Sequence, residues 1–123
     1  MVLQSKMRDI HGWMIIDKPL GIASSSVVSR VKKKLNARKV GHGGTLDPLA
    51  TGLLPIALGE ATKTVSYIMD GRKTYVFSVK WGTSTSTDDA EGQVIKTCVR
   101  VPTSLEIENV IPNFVGEIQQ VPP

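Results

Sequence analysis

One carboxylate, Asp47, stands alone in the sequence between Asp17 and Glu60. The same interval holds Lys18, Arg30, Lys32, Lys33, Lys34, Arg38, Lys39 and His42. Asp47 lies in the stretch GHGGTLDPLATG, residues 41–52. Pro48 fixes its own backbone and pushes Asp47 toward an extended conformation. Gly41, Gly43, Gly44 and Gly52 permit tight bends and close approach of another molecule's backbone. The segment thus reads as a rigid loop that presents one carboxylate to something polyanionic. The same residues also write a plain turn, because Asp before Pro often satisfies nearby backbone groups. A phosphate-cradling loop is disfavoured: the Gly-Lys-Ser/Thr ending and the GxGxxG spacing are both missing.

Other elements must hold that loop. Trp13, Met14, Ile15 and Ile16 form a short apolar run before the turn KPLG, residues 18–21, and read as a buried strand. Ser24, Ser25 and Ser26 offer N-cap hydroxyls. Val27, Val28, Val31 and Leu35 then recur at helical spacing, with Asn36 as the stop. The opposite face carries Arg30, Lys32, Lys33 and Lys34, and the basic run continues through Arg38 and Lys39. Such a face is often only solvated, but the unbroken sign of charge favours a phosphate rail leading into the Asp47 loop. Binding along it would weaken steeply with salt. Lys18 is either a further phosphate contact or a solvated turn residue.

After the loop, residues 53–58 read as a short strand that Pro55 assigns to an edge. Residues 60–69 suggest a helix with Val65, Ile68 and Met69 inward and Gly71 ending it. Tyr75, Phe77, Val79 and Trp81 alternate with Thr74, Val76, Ser78 and Lys80, the period of a strand. A tyrosine in such a row is ordinarily core. Residues 83–92 read as a polar loop without the alternating ligands of a calcium site. Residues 93–101 read as a strand antiparallel to the first aromatic one. Thr103 with Glu106 makes a capping box for a helix ending near Ile111, before Pro112. Residues 1–10 read as loosely held. Together these elements describe an α+β domain with a mixed, mainly antiparallel sheet and flanking helices.

With 123 residues the chain suits one domain with a modest core. The formal charge is +4, with the basic residues gathered early and Asp88, Asp89, Glu91, Glu106, Glu108 and Glu117 late. One cationic face and one ordinary face follow. Cys98 is the single cysteine, which excludes an intrachain disulfide and a thiolate metal cluster. His11 and His42 are too far apart in sequence for a recognisable zinc site, so no metal is expected. The first residues contain no apolar signal core, and no run approaches bilayer length; a cytoplasmic location without membrane contact is the expectation.

GHGGTLDPLATGLLPIALGEATK, residues 41–63, resembles the catalytic signature of the TruB family of tRNA pseudouridine synthases. Upstream, DKPLGIAS (residues 17–24) resembles that family's D-K-P-x-G-x-x-S segment. Downstream, Lys73, Thr74 and Tyr75 resemble its K-x-Y strand. One departure is Ser86, which stands where the family tends to carry an acid; Asp89 then helps only to orient its neighbours. The loop and compact start resemble the stand-alone bacterial type more than the guide-RNA-dependent relatives.

The resemblance implies a uridine-to-pseudouridine isomerisation in the TΨC loop of tRNA, at position 55, with no cofactor. Uracil leaves the ribose C1′, turns and rejoins through C5. Asp47 would be the catalytic residue, as nucleophile or base. The base is stacked, so it must first be extruded into a pocket. Tyr75 would stack on the base, and His42 would meet the displaced base or the remodelled loop. Lys18, Arg30, Lys32, Lys33, Lys34, Arg38 and Lys39 would hold phosphates of the T-arm stem-loop, positioning the RNA without reading its sequence.

The likeness runs from about residue 12 to 122 yet covers less than half of the family's usual length. The expectation is therefore residues 1–123 as the N-terminal portion of a truncated pseudouridine synthase catalytic domain. The C-terminal catalytic half would normally supply a cation to pair with the aspartate. Without it and the RNA-binding extension, little activity is expected from the chain alone. Two other readings compete: a non-catalytic RNA-binding module, and a sugar-phosphate enzyme with a solitary aspartate.

Overall fold

A computed structural model describes residues 6–122, in two compact units that divide between Thr74 and Tyr75. The first unit is built on a three-stranded antiparallel sheet in the order β1-β3-β2, formed by β1 (Gly12–Lys18), β2 (Val40–His42) and β3 (Gly52–Leu58). One helix, α1 (Ser24–Leu35), links β1 to β2. Val27 from α1 and Leu54, Ile56 and Leu58 from β3 are buried with Ala37, and Met14, Ile16 and Val40 pack on that cluster. These positions follow a two-residue period on the strands, so one sheet face meets the helix. The α+β class with antiparallel strands is as the sequence indicates.

Several local expectations change. The Trp13–Ile16 run is not wholly buried: Met14 and Ile16 point to the core, whereas Trp13 and Ile15 are exposed on the other face. Pro55 lies in the central strand, opposite Ile15, and not at an edge. The ladder between β2 and β3 ends at His42 and Ile56, and the Pro55 carbonyl then accepts from Gly43 N–H at 2.8 Å. A residue's N–H and C=O point to the same side of a strand, so Pro55's missing donor faces Gly43, just past the last paired residue of β2, and costs the ladder only the reciprocal bond at its end.

The serine hydroxyls do not cap α1. Ala23 is its N-cap, while Asn36 ends it in the left-handed conformation at φ 50°. Residues 8 and 36–38 are tied together, with Arg8 N–H donating to the Asn36 carbonyl at 2.7 Å and Arg38 N–H to the Arg8 carbonyl at 3.0 Å. That corrects the loose start for the described residues; residues 1–5 lie outside them. After β3 the chain makes a 3-10 turn, Gly59–Thr64, and a short α2, Val65–Met69. Ile68 packs beside Gly43 although part of it is exposed, and Met69 is exposed and not inward.

The second unit departs more. Residues 72–80 form no strand, although the alternation of Tyr75, Phe77, Val79 and Trp81 is that of one. A strand exists only when a neighbour takes its backbone groups, and none does so among the described residues. The supposed loop instead contributes β4 (Thr83–Thr85), which pairs antiparallel with β5 (Val94–Thr97). In their connection Asp89 accepts from the Thr87 hydroxyl at 2.6 Å and from Glu91 N–H at 2.8 Å. The two bonds, the Thr87 one foremost, hold its carboxyl below the usual aspartate range.

The capping box forms as expected at α3 (Ser104–Val110), with Glu106 N–H on the Thr103 hydroxyl and Thr103 N–H on the Glu106 carboxylate. A 3-10 turn, Ile111–Phe114, follows. No side chain of residues 75–122 is buried. Phe77, Val79, Trp81, Ile107, Ile111 and Phe114 line an open groove of about 870 Å³.

Candidate functional site

Asp47 sits in the connection between β2 and β3, residues 43–51, exactly where the glycines allow the chain to leave and rejoin the sheet. Gly43 is buried: a Cβ there would lie 2.8 Å from Ile68 Cγ2, so only hydrogen lets α2 pass this close. Gly44 has φ +143°, a conformation that side chains rarely adopt, and it turns the chain out of β2.

Both neighbours of Asp47 are tied to the turn between β1 and α1. The Ser24 hydroxyl donates to the Leu46 carbonyl at 2.8 Å and accepts from Leu46 N–H at 2.9 Å. Gly21 N–H donates to the Pro48 carbonyl at 2.7 Å. The Asp47 carbonyl accepts from Ala50 N–H at 3.0 Å, closing a turn. The side chain itself is exposed. Among the described residues its carboxylate forms no ion pair within 4.0 Å and no hydrogen bond to its own backbone. Its backbone is occupied and its oxygens are available.

Lys18 is placed differently from the expected phosphate contact. Its side chain is fully buried at 0% exposure. The ammonium donates to the Ile22 carbonyl at 2.7 Å and to the Pro19 carbonyl at 3.0 Å. Burying a charged group without such partners is costly, and here two carbonyls of the same turn supply them. Lys18 therefore shapes the turn that Gly21 and Ser24 use to grip the loop, and is not on the cationic surface. Lys18→Met is expected to lower the stability of this unit by about 1–3 kcal/mol, because it strands both carbonyls. Urea unfolding of the variant beside the parent chain measures it.

The basic side chains of α1 and of the segment after it face solvent. Arg30, Lys32, Lys33, Lys34, Arg38 and Lys39 are all exposed, and none is ion-paired among the described residues. Lys32, Lys33 and Lys34 occupy the last turn of α1, where the helix dipole favours positive charge. His42, at the end of β2, carries a buried Nδ1 without a hydrogen-bond partner among the described residues. Such an atom costs free energy unless another molecule completes it.

Tyr75 opens the second unit and is 61% exposed, so it is not the core tyrosine that its alternating row suggests. Two participants were not singled out from sequence as parts of the site. Ser24 was read as a cap and as the last residue of the DKPLGIAS segment, and Lys73 only as part of a motif. Lys73 donates to the Met69 and Gly71 carbonyls, the latter at 2.8 Å, ending α2. Its Cε comes within 4.0 Å of where a Cβ on Gly44 would stand. The first signal was present in the 22-residue separation of Ser24 and Leu46 only as a long-range contact, which no local pattern encodes.

The family model for the N-terminal domain of TruB family pseudouridylate synthases matches residues 32–123. The tRNA pseudouridine synthase B of Ehrlichia ruminantium is 60% identical over 114 residues, covering 93% of this chain and 38% of the relative. That of Rhodospirillum rubrum is 59% identical over 114 residues, covering 93% of this chain and 37% of the relative. The chain thus spans a little over a third of the length of these relatives. Among solved structures, a chain in an H/ACA RNP bound to a substrate RNA containing 2'-deoxyuridine is similar, with 51% sequence identity and a TM-score of 0.45. That match covers 46% of this chain and 18% of the other.

Proposed function

The chain belongs to the TruB family of pseudouridylate synthases, and from that premise we propose that it serves tRNA pseudouridine synthesis with Asp47 as the reacting group. The target is a uridine in the T-arm loop, position 55 of tRNA. The observation that carries this reading is the exposed Asp47 carboxylate on a backbone clamped at both neighbouring residues. A fixed carboxylate can attack or deprotonate a sugar or base atom only if its own hydrogen-bonding capacity is not already filled. The names of the two relatives, each a tRNA pseudouridine synthase B, support the substrate class.

The target base reaches Asp47 by leaving the stack of its RNA loop. Tyr75, exposed and aromatic, stacks on it, and His42, whose buried Nδ1 has no partner among the described residues, stands at the end of β2 where the chain enters the Asp47 loop. Arg30, Lys32, Lys33, Lys34, Arg38 and Lys39 hold phosphates. Replacing Lys32, Lys33 and Lys34 together by Ala should weaken binding of all T-arm sequences alike. It should also flatten the slope of log K against log salt by about 2 units, at about 0.7 per lost phosphate contact. Filter binding across a salt series reads both.

Turnover in this reading needs further polypeptide of the kind that the relatives carry beyond the matched third. The support is physical: Asp47 has no cationic partner within ion-pair distance among the described residues, and residues 75–122 leave their apolar groove open. Tritium release from C5-labelled uridine in a T-arm transcript tests both parts. The chain alone should release little, and the same residues grafted onto the rest of the Ehrlichia enzyme should release tritium readily. A non-catalytic RNA-binding module is the second reading, favoured by the unpaired cations of α1; it predicts binding without release in either setting.

A further inference from the structure

We propose that Ser24 is a positioning residue for Asp47, holding the reacting loop through a two-way hydrogen bond to Leu46. The inference rests on the reading of Asp47 as the reacting group. Ser24 is 3% exposed, the first residue of α1, and its hydroxyl neither caps the helix nor faces solvent. It donates at 2.8 Å and accepts at 2.9 Å, both with the backbone of Leu46. A hydroxyl is the smallest side-chain group able to do both at once, and here it acts as a strand neighbour would for one residue. Leu46 lies outside any ladder, so Ser24 supplies the partners that the sheet does not.

Two residues further on, Pro48 is gripped by Gly21 N–H at 2.7 Å from the same turn. Pro48 has no N–H of its own, so that carbonyl is its only backbone anchor. Asp47 is thus bracketed, and the two brackets share one support. Removing the Gly21 bond requires a backbone change, whereas the Ser24 bond can be removed by a single side-chain substitution. Ser24 is the position at which the bracket can be opened without cutting the chain.

The test is residue-resolved amide hydrogen exchange and carboxyl carbon NMR on this chain and on Ser24→Ala, with Ser25→Ala as control. Ser25 is exposed and precedes no such bond through its side chain. The expected result is exchange at Leu46 N–H at least 10-fold faster in Ser24→Ala, with a moved Asp47 side-chain carboxyl signal. The amides of α1 from Val28 to Leu35 should keep their protection, and Ser25→Ala should match the parent. Equal exchange at Leu46 in the parent and Ser24→Ala would overturn the proposal. So would a uniform loss of protection across the unit, since that marks a structural serine only. Should Ser24→Ala fail to fold, exchange at Leu46 in the parent decides: a rate as fast as that of an unbonded amide sinks the brace. The reading of Asp47 as reacting group stands or falls separately, on tritium release by the graft and its Asp47→Asn form.

Discussion

Asp47→Asn, made in the graft of this chain onto the remainder of the Ehrlichia enzyme, is expected to lower tritium release by at least about 10³-fold, in line with losses seen when a nucleophile or its partner is removed. Affinity for the T-arm RNA should stay within a factor of about two, a free-energy change of about 0.4 kcal/mol. The substitution is nearly isosteric, so geometry survives while the negative charge and nucleophilic oxygen pair are lost. Nothing in the fold depends on that charge: the carboxylate is exposed and enters no ion pair among the described residues. Stability measured by thermal unfolding should therefore be unchanged. A fall in both binding and stability would mean that Asp47 is a turn residue after all. Unchanged release would leave the RNA-binding module as the better account.

The largest effect on folding is expected from Gly59→Ala. Gly59 closes β3 at φ +55°, and its N–H donates to the Lys39 carbonyl at 2.9 Å. A Cβ there would stand 2.3 Å from His11 Nδ1 and 2.4 Å from the Ile10 carbonyl oxygen. The ring can rotate away; the main-chain oxygen cannot move without carrying the start of β1 with it. His11 Nδ1 also accepts from Glu60 N–H at 3.0 Å, so that bond is lost when the ring gives way. Left-handed strain and overpacking together should cost about 2–5 kcal/mol. Urea unfolding reads the cost. Gly12→Ala is the comparison: φ there is +134°, but nothing lies within 4 Å of the added carbon, so the steric part is missing and the loss should be smaller.

Much of the first unit was legible because local pattern and final structure agree there. Val27, Val28, Val31 and Leu35 at helical spacing, with Asn36 to end the helix, announce α1, and the structure forms it from Ser24 to Leu35. The isolated, exposed setting of Asp47 was legible for a different reason: glycines, a proline and an absence of other acids surround it in the sequence. What could not be read was the purpose of buried polar groups. A lysine in a turn is usually solvated, and only the fold reveals that Lys18 is enclosed by the carbonyls of residues 19 and 22. Ser24 was misread similarly, since capping is a local habit and its bond to Leu46 is not.

Pro55 was assigned to an edge because a missing donor is normally costly inside a sheet. The rule fails here since β2 is only three residues long and ends before Pro55 is reached. In residues 75–81 the alternation is real but no neighbour takes the backbone bonds among the described residues, so period alone does not make a strand. The capping box at Thr103 and Glu106 was read correctly, because both its bonds are closed within four residues.

The most direct measurement is a structure of the graft with a T-arm stem-loop RNA bound. The account predicts that the target uridine is unstacked and that an Asp47 carboxylate oxygen lies about 3–3.5 Å from its ribose C1′ or uracil ring, as a near-attack arrangement requires. A uridine still stacked in its loop, or an Asp47 turned away from it into solvent, would contradict the account.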